Sequence, residues 1–152
     1  MVLPAATANE MTLTLTEEIR VKAPLDVTFA ALLEELGPEH KVADEHPLPM
    51  KLEARPGGRW YRDLGNDNGH LWGHVQAIKR PTLLEISGPL FMSYAAISNL
   101  QYRLTPADGG TLITFKHSAM GLIPEEDRAG MAEGWAYSHE RVRRAAEKAA
   151  RV

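Results

Sequence analysis

The chain has 152 residues, of which 44% are hydrophobic and 24% charged, and its 17 basic and 20 acidic residues give a net charge of -3. That length holds one domain with a real core, and the small acidic surplus argues against a nucleic-acid partner. Without cysteine, disulfides, thiolate metal sites and cysteine nucleophiles are excluded, and such a chain fits a cytoplasmic home.

No run approaches the roughly 18 apolar residues of a spanning helix, so no membrane insertion is expected. The opening MVLPAATANEM lacks the basic start and apolar stretch of a signal peptide. Residues 1–11 read as a flexible tail, with Met11 a second candidate for the natural start, and residues 12–152 as a single domain.

From Thr12 to Lys22 the chain alternates, with Leu13, Leu15, Ile19 and Val21 on one parity, which predicts a strand with one buried face. Pro24 suits a helix start, and Phe29, Leu32, Leu33 and Leu36 recur at helical spacing, so a helix is predicted over Leu25–Leu36, ended by Gly37-Pro38. The polar stretch from Glu39 to Pro49 predicts a loop or a short irregular helix. Six strands follow: Met50–Ala54, Arg59–Leu64, His70–Lys79, Thr82–Gly88, Ile97–Thr105 and Thr111–His117. Most breaks between them are turn-like, so the neighbours should be antiparallel.

The last thirty residues predict a long helix. Pro124 opens it, and Glu125, Glu126 and Asp127 favour the positive end of its dipole. Met131, Trp135, Val142, Ala146 and Ala149 form its apolar stripe. Gly130 and Gly134 interrupt it, each costing roughly 1 kcal/mol against alanine, which predicts close packing or a bend. The order of strand, helices, six strands and long helix predicts an α+β layout, an antiparallel sheet with the long helix across it.

Several motifs resemble one superfamily: VKAPLDVTFAAL, RPGGRW, GHVQAIKRPTLLEISGP, GGTLITFKHSAMG and EGW, in that order. The chain resembles the SRPBCC or START-like superfamily, and within it the branch named after the activator of the heat-shock-protein-90 ATPase. The likeness runs from about Thr12 to Ala149. It implies a helix-grip fold, as in the birch-pollen allergen, with about seven strands wrapped around the C-terminal helix. It also implies a cavity for a small apolar, aromatic or lipid-like molecule, and the branch name points toward the stress response. The superfamily holds binders, cyclases and regulators, so the fold does not choose among them. Ser138 and His139 stand where the branch often carries large aliphatic residues.

The glycines of RPGGRW open a strand rather than a helix, so they read as a turn and not a phosphate loop. His70 and His74 lie four residues apart in a strand, about 13 Å, too far to share one ion. A cross-strand pairing of His74 with His117 or His139 stays open, but no metal and no cofactor is expected.

His117 shares parity with Ile113 and Phe115, and His139 lies one helical turn from Trp135. Both histidines are therefore candidates for proton transfer, or for buried hydrogen-bonded histidines with no such role. Trp60, Trp72, Tyr102, Phe115, Met131 and Trp135 are candidate cavity walls, and Phe91, Met92 and Tyr94 a candidate lip. Arg62, on the parity of Trp60, is a candidate partner for a ligand carboxylate or for Glu53. The faces of residues 70–78 are not separable by pattern, so Trp72 and His74 both stand as candidate ligand contacts.

The expected function is binding of a small apolar or amphipathic molecule. A cyclase or hydrolase working through a cavity histidine, and a co-chaperone-like interaction module, are the alternatives. A second copy of the chain is a further candidate partner.

Overall fold

The computed structural model describes residues 11–151; the predicted tail, apart from Met11, lies outside them. Strand β1 (Thr12–Val21) alternates as predicted, with Ile19 and Val21 buried. Glu17 holds the same inward parity. Helix α1 (Leu25–Leu36) buries Phe29, Leu32 and Leu36 and ends where the Gly37 amide bonds the Glu34 carbonyl.

The stretch after α1 departs from expectation. It is neither loop nor helix but a small hairpin of β2 (Lys41–Val42) and β3 (His46–Pro47). Asp44 and Glu45 both take positive φ at its turn, a conformation in which Asp is several-fold enriched.

Next come β4 (Lys51–Leu52), β5 (Arg59–Gly65), β6 (Asn68–Lys79), β7 (Leu83–Gly88), β8 (Ala96–Ala107) and β9 (Gly110–Gly121). Two pairs outrun their predicted ends because the turns are tighter than their composition suggests. Asn66-Asp67 and Asp108-Gly109 have positive φ throughout, and so close two-residue hairpins that continue the strand twist.

All seven long-sheet strands pair antiparallel in the order β1-β9-β8-β7-β6-β5-β4. Helix α2 (Glu125–Ala150) buries Met131, Trp135, His139, Val142 and Ala146, a stripe of three- and four-residue steps. Opposite it stand the inward residues of the central strands, among them Leu84, Ile86, Leu100, Tyr102, Leu104, Ile113 and Phe115. The result is the α+β helix-grip layout. Trp60 is fully buried and donates its indole N–H to the Leu36 carbonyl at 2.7 Å, tying the sheet to the end of α1.

A bulge settles the faces of β6. Trp60 pairs with Gly73 and Tyr61 with Leu71, so Trp72 is the extra residue. Such an insertion re-aims the side chains on either side of it. Trp72 turns inward and is buried, Val75 takes the next inward place, and His74 is left exposed.

Candidate functional site

The first half of α2 meets β1, where Arg128 donates to the Thr12 carbonyl at 2.9 Å, but stands off from Trp72 on β6. A pocket of about 450 Å³ lies there. Its walls come from four places: Trp72 on β6, Phe91 after β7, His40, Val42 and Leu48 around the β2–β3 hairpin, and the α2 side chains up to Ser138.

Each wall has a local cause. Leu90, in the left-handed region at φ 58, donates its amide to the Trp72 carbonyl at 2.7 Å. That bond sets Phe91 against Trp72, with ring centres 5.8 Å apart, and 6.3 Å from Trp135. Trp60 backs Trp72 edge-on at 5.0 Å.

The hairpin is latched to α2. Arg141 reaches Glu35 at 3.2 Å and Glu45 at 2.5 Å, and the Tyr137 hydroxyl donates to Glu45 at 2.9 Å. Burial pushes the Glu35 carboxyl up, against the pull of Arg141.

Gly130 and Gly134 line the pocket and do not pack closely. A Cβ on either would meet nothing within 4 Å, so of the two expectations, close packing or a bend, close packing does not hold.

The polar groups of the pocket are few. His40 is 6% exposed, packs edge-on to Trp72, and donates Nδ1–H to the Glu35 carbonyl at 3.1 Å. A carbonyl only accepts, so the proton sits on Nδ1 and Nε2 carries a lone pair. Burial holds the imidazole below its usual pKa and therefore neutral at pH 7. Glu126 and Asp127 stand at the pocket edge. Asp127 accepts from the Tyr94 hydroxyl at 2.6 Å, and that phenol is pushed up to about 12, by burial first and then by the carboxylate.

Behind the pocket the buried polar side chains are all paired. Trp135 donates its indole N–H to His117 Nδ1 at 3.0 Å, and His117 Nε2 bonds Ser98 Oγ at 2.8 Å. The indole can only donate, so Nδ1 accepts and His117 carries its proton on Nε2. Desolvation lowers its pKa to about 4. His139 stacks on Trp135 at 5.6 Å, bonds Glu17 through Nδ1 at 2.5 Å, and meets the Tyr102 hydroxyl through Nε2 at 2.9 Å. Burial raises the Tyr102 pKa well above that of a free phenol. His117 and His139 are 0% and 1% exposed, and every ring nitrogen has a protein partner.

The predicted residues thus divide. Trp72, Phe91, Met131 and Trp135 line the pocket, and Tyr94 adjoins it through Asp127. Trp60, Tyr102, Phe115, His117 and His139 sit in the closed interior. Met92 is 2% exposed and belongs to the core rather than to a lip. Arg62 and His74 lie away from the pocket. Arg62 lines a polar groove on the β5–β6 hairpin, and Glu53, its predicted partner, is bound instead by Arg59 at 2.9 Å. His74 faces out because of the bulge.

The sequence does not mark His40, Ser98 or Glu17 as site residues, and it marks Glu126 and Asp127 only as favourable charges at the start of α2. Glu17 shows in the sequence as the charged break in an apolar parity. Among the described residues no three His, Asp or Glu side chains converge as a metal site, and no helix is long and apolar enough to cross a membrane.

Comparison with known proteins gives the same architecture. Residues 22–147 match the family of Activator of Hsp90 ATPase homolog 1-like proteins. No curated protein matches the chain. A putative uncharacterized protein from Rhizobium leguminosarum superposes with a TM-score of 0.70 at 20% identity, over 90% of this chain and 95% of that one. Ara h 8.0201 superposes at 0.63 and 15% identity, over 89% and 97%. The di-domain ARO/CYC StfQ from the steffimycin biosynthetic pathway does so at 0.69 and 12% identity, over 95% of this chain and 54% of that one.

Proposed function

This chain belongs to the family of Activator of Hsp90 ATPase homolog 1-like proteins, and on that premise we propose that it binds an apolar or aromatic small molecule at the first half of α2. The observation that carries this reading is the pocket itself, an aromatic-walled gap of about 450 Å³ between the first half of α2, Trp72 and Phe91. Its size lies within the roughly 300–1,000 Å³ of small-molecule sites, and its composition of apolar walls with few polar groups is the usual one. In this reading residues 12–152 act as a single domain in the cytoplasm.

A second reading, an enzyme of the cyclase or hydrolase kind, has one observation in its favour. His40 lines the pocket as a neutral imidazole with its Nε2 lone pair available. The acid–base role passes to it from His117 and His139, whose nitrogens are all occupied.

The test is a thermal-shift screen against aromatic polyketides, flavonoids and fatty acids. A ligand at a hundredfold excess over its dissociation constant adds about 2.7 kcal/mol, enough for a clear rise in Tm. A rise with one chemical class, abolished by filling the pocket with Gly134→Leu, supports the binder. No rise with any class, together with capture of a chaperone in a pull-down, would favour the interaction module instead.

A further inference from the structure

The polar lining of the pocket is one-sided. Both tryptophans in its wall have spent their indole donors, Trp135 on His117 and Trp72 on His70 Nδ1 at 3.2 Å. His40 has spent its N–H on Glu35, and no described residue bonds its Nε2. Glu126 and Asp127 bring carboxylates, and the Tyr94 hydroxyl that approaches Asp127 is consumed by it. Only the Ser138 hydroxyl retains a proton to give.

No cation lines the pocket. The nearest ones are engaged elsewhere: Arg141 with Glu35 and Glu45, Lys41 with Glu45 at 3.5 Å, and Arg128 with the carbonyls of Thr12 and Ile123. The amino end of α2 would itself attract an anion, but Glu125, Glu126 and Asp127 occupy its first turn. A ligand carboxylate there would face like charges and acceptors, with only the Ser138 hydroxyl to donate. Arg62, the residue the sequence offers for a carboxylate, lies in a different groove.

We propose that the pocket selects an aromatic or apolar ligand carrying a protonated amine, held by the Glu126 and Asp127 carboxylates and the His40 Nε2 lone pair, with its apolar body between Trp72, Phe91 and Trp135. Aromatic faces add to the attraction, since a cation near a tryptophan ring is drawn to its negative face. This inference rests on the pocket being a ligand site and specifies what enters it.

Three probes of one shape separate the two claims: 2-(2-naphthyl)ethylamine, 2-ethylnaphthalene and 3-(2-naphthyl)propionate. Each is titrated calorimetrically into the full chain at neutral pH and low salt. The amine should bind about tenfold tighter than the neutral compound, a preference that added salt reduces, and the carboxylate should bind weakest. Glu126→Gln and Asp127→Asn, which keep shape and hydrogen-bond acceptors, should each erode the amine preference and leave 2-ethylnaphthalene unchanged. Equal affinity for all three, or tightest binding of the carboxylate, overturns the amine proposal while the pocket stands as a site. An amine preference that survives the double variant also overturns it. No binding of any probe removes the pocket reading, and this proposal with it.

Discussion

Helix α2 lies on the sheet along two stretches that solve the same packing problem differently. From Trp135 onward, its inward face meets Phe115, Tyr102 and His117, and every buried donor and acceptor there has a partner. Before Trp135, glycines at 130 and 134 replace side chains, and the space they leave is walled by Trp72 and Phe91. Trp135 belongs to both, with its ring on the pocket and its N–H in the closed network. An interior needs both density and polar satisfaction. The closed stretch pairs its buried polar groups; the open stretch leaves a volume of about 450 Å³ unfilled, the space in which the proposed ligand would sit. Histidine illustrates the contrast. His117 and His139 are locked by two partners each, whereas His40 is locked by one.

The largest effect should come from the closed stretch. Phe115→Ala removes a fully buried ring and should lose about 3–5 kcal/mol of unfolding free energy, measured by chemical denaturation. A loss below about 1 kcal/mol would mean the interior there is loosely packed.

Acid should reveal the same network. The folded pKa of His117 is about 4 against an ordinary 6.5, so the unfolded chain takes up the proton first as pH falls. Its stabilising contribution is therefore full above 6.5 and lost as pH drops toward about 4, on the order of 3 kcal/mol across that window. His40, also depressed, adds in the same direction. His117→Gln keeps an acceptor for Trp135 without titrating, and should flatten the pH dependence of Tm; an unchanged slope would break the assignment.

In the open stretch the sign reverses. Gly130→Ala and Gly134→Ala add a Cβ that meets nothing and should each stabilise by up to about 1 kcal/mol through helix propensity. Destabilisation by either would show that the glycines are needed for packing after all. The smallest effect belongs to the surface. The ion pair of Arg20 and Asp108 at 3.4 Å is exposed on both sides, and Arg20→Ala should change stability by less than about 0.5 kcal/mol.

Much of this was legible before any coordinates. Leu25–Leu36 coincides with its predicted helix because spacing and terminators agreed, and seven strands follow from alternation and turns. The polar turns mislead on strand length, since Asp108-Gly109 closes a hairpin in two residues where the composition suggests a five-residue break from Pro106 to Gly110. Trp72 and His74 could not be separated because a bulge breaks the two-residue period without any mark in composition. His40 was hidden for another reason: its role depends on a hairpin latched by Arg141, a residue a hundred positions away. The pocket carboxylates read from sequence only as favourable charges at a helix start, which they also are.

The central claim is that the ligand site is the open stretch and not the histidine-bearing interior. It is tested most directly by titrating N-phenyl-1-naphthylamine, a neutral fluorescent probe, into the wild-type chain, Gly134→Leu and His117→Gln. The account predicts enhanced fluorescence with the wild type and with His117→Gln, and affinity reduced at least about tenfold in Gly134→Leu, whose added side chain fills the pocket without a backbone clash. Unchanged binding by Gly134→Leu with binding lost in His117→Gln would contradict it and move the site into the interior.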